Sequence, residues 1–324
     1  METRVTKKKY FNIIITLIAI STIPIYLYGV EVIRLIFSAL ATAIVTDWLC
    51  VRIFKKQKHD KGDVSYIITA LVIALFLPAT APWWIATAAV VVGIVIAKYP
   101  FGGTGHNIFN PAAVGLCFVS ICWPDYVLKY PVPHSIIDFA TNLKIPYEQA
   151  PGSVLKLGGV PQLDFFDILL GDFAGPMGTT CIIVLLCCLL YLIFRRTINI
   201  KIFLMAVITI SAFSAVFPRI LVGENTIPLS IMYELCSGGL IFGLIYMAND
   251  PVTAPDTRRG QILYGVLLGI IIMVFRYFGT IELEFVYAIL LANIFAIPCD
   301  RYANFITNKA NNVINKLCNK KDKN

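Results

Sequence analysis

This chain contains two nearly identical pentapeptides, one in each half: Pro78-Ala79-Thr80-Ala81-Pro82 and Pro251-Val252-Thr253-Ala254-Pro255. Each follows a short apolar run and precedes a longer one that ends in a basic residue and an aromatic-glycine cluster. These clusters are Lys98-Tyr99-Pro100-Phe101-Gly102 and Arg276-Tyr277-Phe278-Gly279. Pro-x-Thr-x-Pro also commonly marks the end of a helix, but the matched flanks favour an internal repeat.

The composition indicates a membrane protein. Of the 324 residues, 58% are hydrophobic and 14% are charged, and the mean hydropathy is +0.78, which is too apolar for a soluble globule. Ten apolar runs, most of them long enough to cross or nearly cross a hydrocarbon core, lie at about 11–28, 32–51, 64–77, 83–97, 111–123, 180–194, 202–221, 235–248, 261–278 and 283–297. We therefore predict an all-α polytopic protein with about ten transmembrane helices.

The charged residues predict how the chain is oriented. If the N-terminus is cytoplasmic, the cytoplasmic segments carry 21 of the 27 Lys and Arg residues, as the positive-inside rule requires. The net charge of +8 therefore reflects topology and does not point to a nucleic-acid partner. The first run has no small-residue cleavage site, so we expect a retained helix instead of a signal peptide. Both termini are predicted to be cytoplasmic.

An odd number of runs in each half predicts an inverted repeat, because the second copy then crosses the membrane in the opposite direction. The predicted parts are an N-terminal five-helix repeat at 1–123, an external loop at 124–178, a C-terminal five-helix repeat at 179–302 and a basic cytoplasmic tail at 303–324. The short runs before the two pentapeptides predict broken helices. Their freed backbone carbonyls must be shielded by protein or face a cavity.

Polar residues beside the predicted breaks are candidate site residues. Asn107 and Asn110 lie in the glycine-rich segment 101–111, and Asp250 directly precedes the second pentapeptide. Polar groups beside broken membrane helices mark binding sites, so we expect these residues to contact a ligand or line an ion path. A structural turn for segment 101–111, and a helix cap for Asp250, remain alternatives.

A hydroxyl-bearing segment, Gly175-Pro176-Met177-Gly178-Thr179-Thr180-Cys181, ends the predicted external loop and opens the sixth run. A hydroxyl at this position suits covalent attachment of a cofactor. Alternatively, Thr179 and Thr180 cap the following helix by accepting a backbone N–H.

Other kinds of site find little support in the sequence. None of the nine cysteines forms a Cys-x-x-Cys pair, and His59, His106 and His134 lie on different segments. We therefore predict no metal site. No acid/base or nucleophile constellation is visible, which favours electron transfer over hydrolysis.

Taken together, these segments resemble the RnfD/NqrB family, whose members are subunits of the Rnf ion-translocating oxidoreductase and of the sodium-pumping NADH:quinone oxidoreductase. The resemblance spans roughly residues 63–302. It rests on Ile67-Ile68-Thr69-Ala70-Leu71 with Leu77-Pro78, on Pro82-Trp83-Trp84, on Phe101-Gly102-Gly103 through Asn107, on Asn110-Pro111-Ala112, and on Asp250-Pro251-Val252-Thr253-Ala254-Pro255 with Arg259-Gly260. It implies a urea-transporter-like fold of two inverted five-helix repeats in a prokaryotic cytoplasmic membrane.

The resemblance also implies flavin cofactors. In that family a Thr after Gly-Ser-x-Gly-Glu carries FMN through a phosphoester. This chain keeps both glycines, Gly175 and Gly178, and the threonine, Thr180, but has Pro176 and Thr179 at the other two positions. Thr180 is therefore the expected attachment residue and Thr179 the alternative. A helix N-terminus there suits a phosphate, and the resemblance further implies a non-covalent riboflavin in the membrane domain.

Three functions are open on the sequence. The first is a subunit of a redox-driven ion-translocating complex of the ferredoxin:NAD oxidoreductase type, which is a translocase component and not a stand-alone enzyme. Its implied partners are the other membrane and peripheral subunits, a flavin transferase, and Na+ or H+. The second is a urea-transporter-like channel or transporter for a small solute, and the third is a structural anchor; both predict a chain without flavin.

Overall fold

The computed structural model describes residues 2–54, 63–135, 137, 145–220, 226–279 and 283–305. His59, the basic residues at 55–61 and the tail beyond residue 305 lie outside this part of the chain. The described chain is mostly helical. Its elements are α1 (Glu2–Tyr28), α2 (Glu31–Ile53), α3 (Ser65–Phe76), α4 (Trp83–Ala97), α5 (Pro111–Cys122), α6 (Pro124–Val127), β1 (Tyr130–Pro131), β2 (Tyr147–Glu148), α7 (Pro151–Lys156), α8 (Phe165–Leu170), α9 (Ile182–Phe194), α10 (Ile200–Val216), α11 (Thr226–Cys236), α12 (Leu240–Tyr246), α13 (Arg258–Phe278), α14 (Glu284–Ile294) and α15 (Ala296–Phe305).

The apolar helices agree with a polytopic membrane protein. Within the described residues, α1, α2 and α13 are each long and apolar enough to cross a membrane. The pairs α11–α12 and α14–α15 pass the same test when each bent pair is taken as one span. Five further apolar helices are shorter. Every predicted run contains helix, but because several are short, the count of ten spans stays a prediction.

The helix breaks follow from local backbone chemistry. Helix α3 ends at Phe76 because Pro78 disfavours helical geometry at the residue before it, and Leu77 is extended, with φ −84° and ψ 157°. The α11–α12 pair bends by 48° at Gly238 and Gly239, whose φ angles of 65° and 66° favour glycine. The eighth predicted run is thus a bent pair that begins at Thr226, instead of a short helix.

The carbonyls freed at both breaks have partners, as predicted. Leu75 O accepts a hydrogen bond from Gly178 N at 2.8 Å, and Leu77 O accepts one from Met177 N at 3.1 Å. At the end of α12, before the second pentapeptide, Met247 O accepts from Asn110 Nδ2 at 3.2 Å. The candidate segments are therefore the ones that shield the broken helix ends.

Close contact between helices occurs in both halves. A Cβ on Gly115 would lie 2.2 Å from Ala89 O, so α5 packs directly on the backbone of α4. A Cβ on Gly265 would lie 2.8 Å from Ile202 O, so α13 likewise packs on the backbone of α10. Small residues permit such packing in membranes, where helices gain little from the hydrophobic effect.

A buried base lies at the end of both α4 and α13. Lys98 Nζ lies 3.0 Å from Asp47 Oδ1 and 2.9 Å from Asp63 Oδ2. Arg276 pairs in the same way with Glu234 and Glu284, at 2.7 Å and 3.0 Å. Each base is the first residue of one of the repeated aromatic-glycine clusters, and each joins two acidic residues from other parts of its half.

Candidate functional site

All three polar candidate residues line one cavity, which we call the Asp250 cavity. It has about 550 Å³ of empty space, part of it open to solvent. Asn107, Asn110 and Asp250 share its wall with Lys98, Ser65, Thr104 and Tyr246. The structure thus brings together three candidate residues that are up to 143 positions apart in the sequence.

Asn110 joins three parts of the chain. Its Oδ1 accepts hydrogen bonds from Ala112 N at 3.0 Å and Ala113 N at 3.2 Å, so it caps α5. Its Nδ2 donates to Met247 O, and its backbone N donates to Asn293 Oδ1 at 3.1 Å. Asn110 is therefore a structural residue of this wall as well as a candidate for ligand contact.

The Asn107 side chain makes fewer hydrogen bonds than that of Asn110. It is 8% exposed, and its Nδ2 donates a long hydrogen bond of 3.4 Å to the nearby Phe109 O. Its side chain borders the cavity and crosslinks no distant element through that bond, which leaves its amide better placed than that of Asn110 for a ligand.

Asp250 organises the turn that follows α12. Its carboxylate accepts hydrogen bonds from the backbone N–H groups of Val252 and Thr253 and from Thr253 Oγ1 at 3.2 Å. The cap of α13 is Thr257, whose side chain accepts from Gly260 N. Asp250 therefore does not cap α13, whose cap position lies seven positions further along the chain.

The sequence reasoning missed the acidic partners of Lys98. Burial alone would raise the pKa of the Asp63 carboxyl, but the Lys98 ammonium and hydrogen bonds from Thr104, Lys98 and Ser65 N hold it below its usual value. Asp47 is 3% exposed within α2. The sequence signal for Asp47 was its position inside an apolar run, since a carboxylate is costly in a membrane and is usually paired there.

An unpaired hydroxyl and a carboxylate give the Asp250 cavity its chemical character. Ser65 Oγ is buried and has no hydrogen-bond partner among the described residues. Asp250 and Lys98 both line the cavity. The Lys98 ammonium is paired with Asp47 and Asp63, which lie outside the cavity wall, so its charge does not offset that of Asp250. This balance favours a neutral or cationic ligand over an anionic one.

The structure excludes helix capping by the two threonines. Helix α9 begins at Ile182 and its cap position is Cys181, with no side-chain cap. Thr179 Oγ1 donates to Pro176 O at 3.0 Å. Thr180 is fully buried, and its Oγ1 has no hydrogen-bond partner in the described part of the chain. The helix thus starts two residues later than the sequence predicted.

A second cavity, which we call the Glu284 cavity, lies against the threonine segment. It has about 420 Å³ of empty space, and its wall includes Gly175, Pro176 and Thr179 together with Gly238 and Glu284. Thr180 lies directly behind this wall, since a Cβ on Gly175 would be 3.1 Å from Thr180 Cγ2. One threonine therefore lines the cavity and the other is buried behind it.

Gly178, a predicted cofactor-binding residue, packs against helix α3. A Cβ at this position would lie 2.6 Å from Leu75 Cβ, and its backbone N donates to Leu75 O. The glycine fixes the register of the threonine segment against the broken helix.

Comparison with known proteins places the chain in a family. It matches the model of the NQR2, RnfD, RnfE family over residues 1–307. The D subunit of the Na(+)-translocating ferredoxin:NAD(+) oxidoreductase complex of Acetobacterium woodii is 30% identical over 285 residues, which cover 87% of this chain and 84% of that protein.

Two further relatives differ in length. The D subunit of the ion-translocating oxidoreductase complex of Haemophilus ducreyi is 26% identical, and the alignment covers 93% of this chain and 94% of that protein. The B subunit of the Na(+)-translocating NADH-quinone reductase of Pseudomonas paraeruginosa is 31% identical over 76% of this chain but only 61% of its own length. Because the family model covers nearly the whole sequence, this chain belongs to the NQR2, RnfD, RnfE family.

Proposed function

We propose that this chain is a membrane flavoprotein subunit of a redox-driven, ion-translocating electron-transport complex of the ferredoxin:NAD oxidoreductase type. The names of its relatives support this, since they are subunits of Na+-translocating or ion-translocating oxidoreductases. Its partners are then other membrane and peripheral subunits of such a complex and the ion moved, Na+ or H+. The membrane is the cytoplasmic membrane of a prokaryote.

The observation that carries the proposal is the orphan hydroxyl of Thr180. Leaving a buried polar group without a partner costs about 1–3 kcal/mol, so this position needs an explanation other than capping. Esterification removes the donor, and the adjoining cavity gives an attached group somewhere to lie. Thr180 is therefore the proposed site of covalent FMN, and Thr179, which donates to Pro176 O, is the alternative.

Attachment requires a dedicated flavin transferase, because an unactivated threonine is a weak nucleophile. A P–O bond forms between Oγ1 and the FMN phosphorus, while the anhydride bond of a flavin dinucleotide donor breaks and a nucleoside monophosphate leaves. The hydroxyl proton goes to a base of the transferase. The bound flavin supplies electron-transfer chemistry that amino-acid side chains lack.

The Asp250 cavity is the proposed place for a second, non-covalent flavin or for part of the ion path. Its acidic balance suits riboflavin, which has no phosphate, and it equally suits a cation. Asn107 and Asp250 are the residues that would bind and orient such a ligand. Asn110 holds the wall in place by capping α5 and satisfying Met247 O.

The inverted repeat and the orientation belong to the same proposal. Two features support the repeat: both halves contain a broken helix before a matched pentapeptide, and each places a buried base between two carboxylates. With cytoplasmic termini, repeats at 1–123 and 179–302 put the Asp250 cavity and the Glu284 cavity towards opposite faces of the membrane.

The test is in-gel fluorescence of the denatured protein after co-expression with the transferase. We expect wild type and Thr179→Ala to fluoresce and Thr180→Ala to be dark, while both variants insert normally. A dark Thr179→Ala with a fluorescent Thr180→Ala moves the attachment by one residue. A dark wild type contradicts covalent flavinylation and favours the small-solute channel.

A further inference from the structure

Glu284 lines the second cavity and carries a buried carboxylate oxygen without a hydrogen-bond partner among the described residues. The residue is 3% exposed and begins α14. Its Oε1 accepts a hydrogen bond from Arg276 Nε at 3.0 Å. Its Oε2 is buried and has no hydrogen-bond partner among the described residues, although the side chain lines the Glu284 cavity.

The surrounding ions fix this carboxylate in place. Arg276 also donates to Glu234 Oε2 at 2.7 Å and to Ser237 O at 2.9 Å. Arg219 Nε lies 3.0 Å from Glu234 Oε1. Two arginines thus balance two glutamates, so the cluster offers a hydrogen-bond acceptor without surplus negative charge. This favours a neutral N–H donor over a metal cation as the group that meets Oε2.

Space for that group is kept by Gly238. A Cβ there would lie 3.0 Å from Arg276 Nη2 and 3.2 Å from Glu284 Oε1. Gly238 itself lines the cavity, so any larger residue would intrude between the ion pair and the cavity. The empty space of about 420 Å³ is partly open to solvent.

We propose that Glu284 is a ligand-contact residue whose Oε2 accepts a hydrogen bond from the imide N–H of the flavin ring attached at the threonine segment. This rests on the proposed function. The cavity wall contains both the attachment segment and Glu284. Arg276 is the positioning residue, because its Nε occupies Oε1 and leaves Oε2 for the ligand.

Glu284→Gln is the decisive variant. Because Arg276 Nε can only donate, the glutamine oxygen must face it, and the amide NH2 must face the cavity. The imide N–H then meets a donor, and one negative charge beside the reduced flavin is lost. We expect covalent fluorescence equal to wild type and a midpoint potential raised by a tenfold change in the equilibrium constant, about 30 mV for a two-electron couple. The imide N–H bending band in resonance Raman spectra should shift as well.

Glu234→Gln is the matched control, since it removes the same charge from the same cluster, whereas among the described residues Glu284 and not Glu234 lines the cavity. It should leave the imide band unchanged. If the Glu284→Gln protein is not recovered, Glu284→Asp keeps the charge but withdraws the oxygens by one methylene, and the band should shift with little change in potential.

Two results overturn the contact while leaving covalent flavinylation intact. One is a fluorescent Glu284→Gln protein with the wild-type potential and imide band. The other is an unchanged imide band in Glu284→Gln together with a potential that Na+ shifts in wild type but not in the variant, which would assign the carboxylate to a cation. A dark wild type instead removes the proposed function on which the contact rests.

Discussion

Asn110 and Asn107 differ in the contacts that their side chains make, although they lie only three positions apart. Asn110 caps α5 and satisfies Met247 O, whereas Asn107 makes a long local bond to Phe109 O. Removing the Asn110 amide loses a cap, worth about 0.5–2 kcal/mol, and one of the two hydrogen bonds to Met247 O, worth about 0.5–1.5 kcal/mol. Met247 O then keeps only the 3.4 Å bond from Asp250 N.

We therefore expect Asn110→Leu to lower the free energy of unfolding of the purified protein by about 1–3 kcal/mol. Asn107→Leu should cost much less and should instead deplete the non-covalent flavin. Thermal unfolding in detergent and flavin extraction measure the two effects. Equal stability of both variants, with equal flavin content, would reduce segment 101–111 to a turn without a ligand role.

Gly178 provides a second test at the residue scale. An added Cβ would lie 2.6 Å from Leu75 Cβ, and overpacking of this kind costs about 1–3 kcal/mol. Gly178→Ala should therefore lower the unfolding temperature. Gly152→Ala is the control, because its nearest contact would be Ser237 Oγ at an ordinary 3.8 Å. Indistinguishable melting of the two variants would mean that the segment shifts freely from α3.

The sequence led to Thr180 but not to its surroundings. The resemblance to the family motif, through Gly175 and Gly178, identified the segment, since that motif is local. Which hydroxyl faces the cavity depends on hydrogen bonds from Met177 N and Gly178 N to a helix about 100 residues earlier. Such long-range register leaves no trace in the sequence pattern, and neither does the pairing of Glu284 with Arg276.

At the scale of elements, the ends of α4 and α13 are joined to other helices by buried ion pairs. Removing one partner of such a pair leaves uncompensated charge, which costs about 3–5 kcal/mol. Arg276→Met should therefore strongly reduce the yield of folded protein, measured by size-exclusion chromatography in detergent.

The control for this prediction is Arg34→Met. Arg34 pairs with Glu31 at 3.0 Å, but its side chain is 52% exposed, and pairs of this kind contribute about 0–1 kcal/mol. A yield for Arg276→Met as high as that for Arg34→Met would show that the buried cluster does not stabilise the fold.

Helix ends at proline and glycine were predictable, and the loop helices were not. Pro78 ends α3 by a local steric effect, so the break could be read directly. By contrast, α7 and α8 have six residues each, too few to show a helical period. The bend between α14 and α15 at Phe295 also has a local cause, because Pro298 cannot donate a hydrogen bond to Ile294 O, four residues earlier, and its ring clashes with that carbonyl.

For the molecule as a whole, the charge distribution predicts that residues 124–178 are external and both termini cytoplasmic. Leu157 is 76% exposed in this loop, and Arg258 is exposed at the start of α13. In a cysteine-free background, Leu157→Cys should react with an impermeant maleimide in intact cells. Arg258→Cys should react only after permeabilisation. The reverse pattern would invert the assigned orientation, and labelling of both positions in intact cells would contradict the inverted repeat.

The burial of Thr180 bears on the order of events during biogenesis. In the folded chain its hydroxyl is inaccessible, and the segment that contains it is joined to α3 through two backbone hydrogen bonds. A transferase that needs the bare oxygen must therefore act before the segment closes, or wait for it to open. We expect a pulse of transferase to modify newly made chains quickly and mature, unmodified chains slowly. Maturation of the protein would then be limited by timing, and late-arriving enzyme could not rescue protein that had already folded.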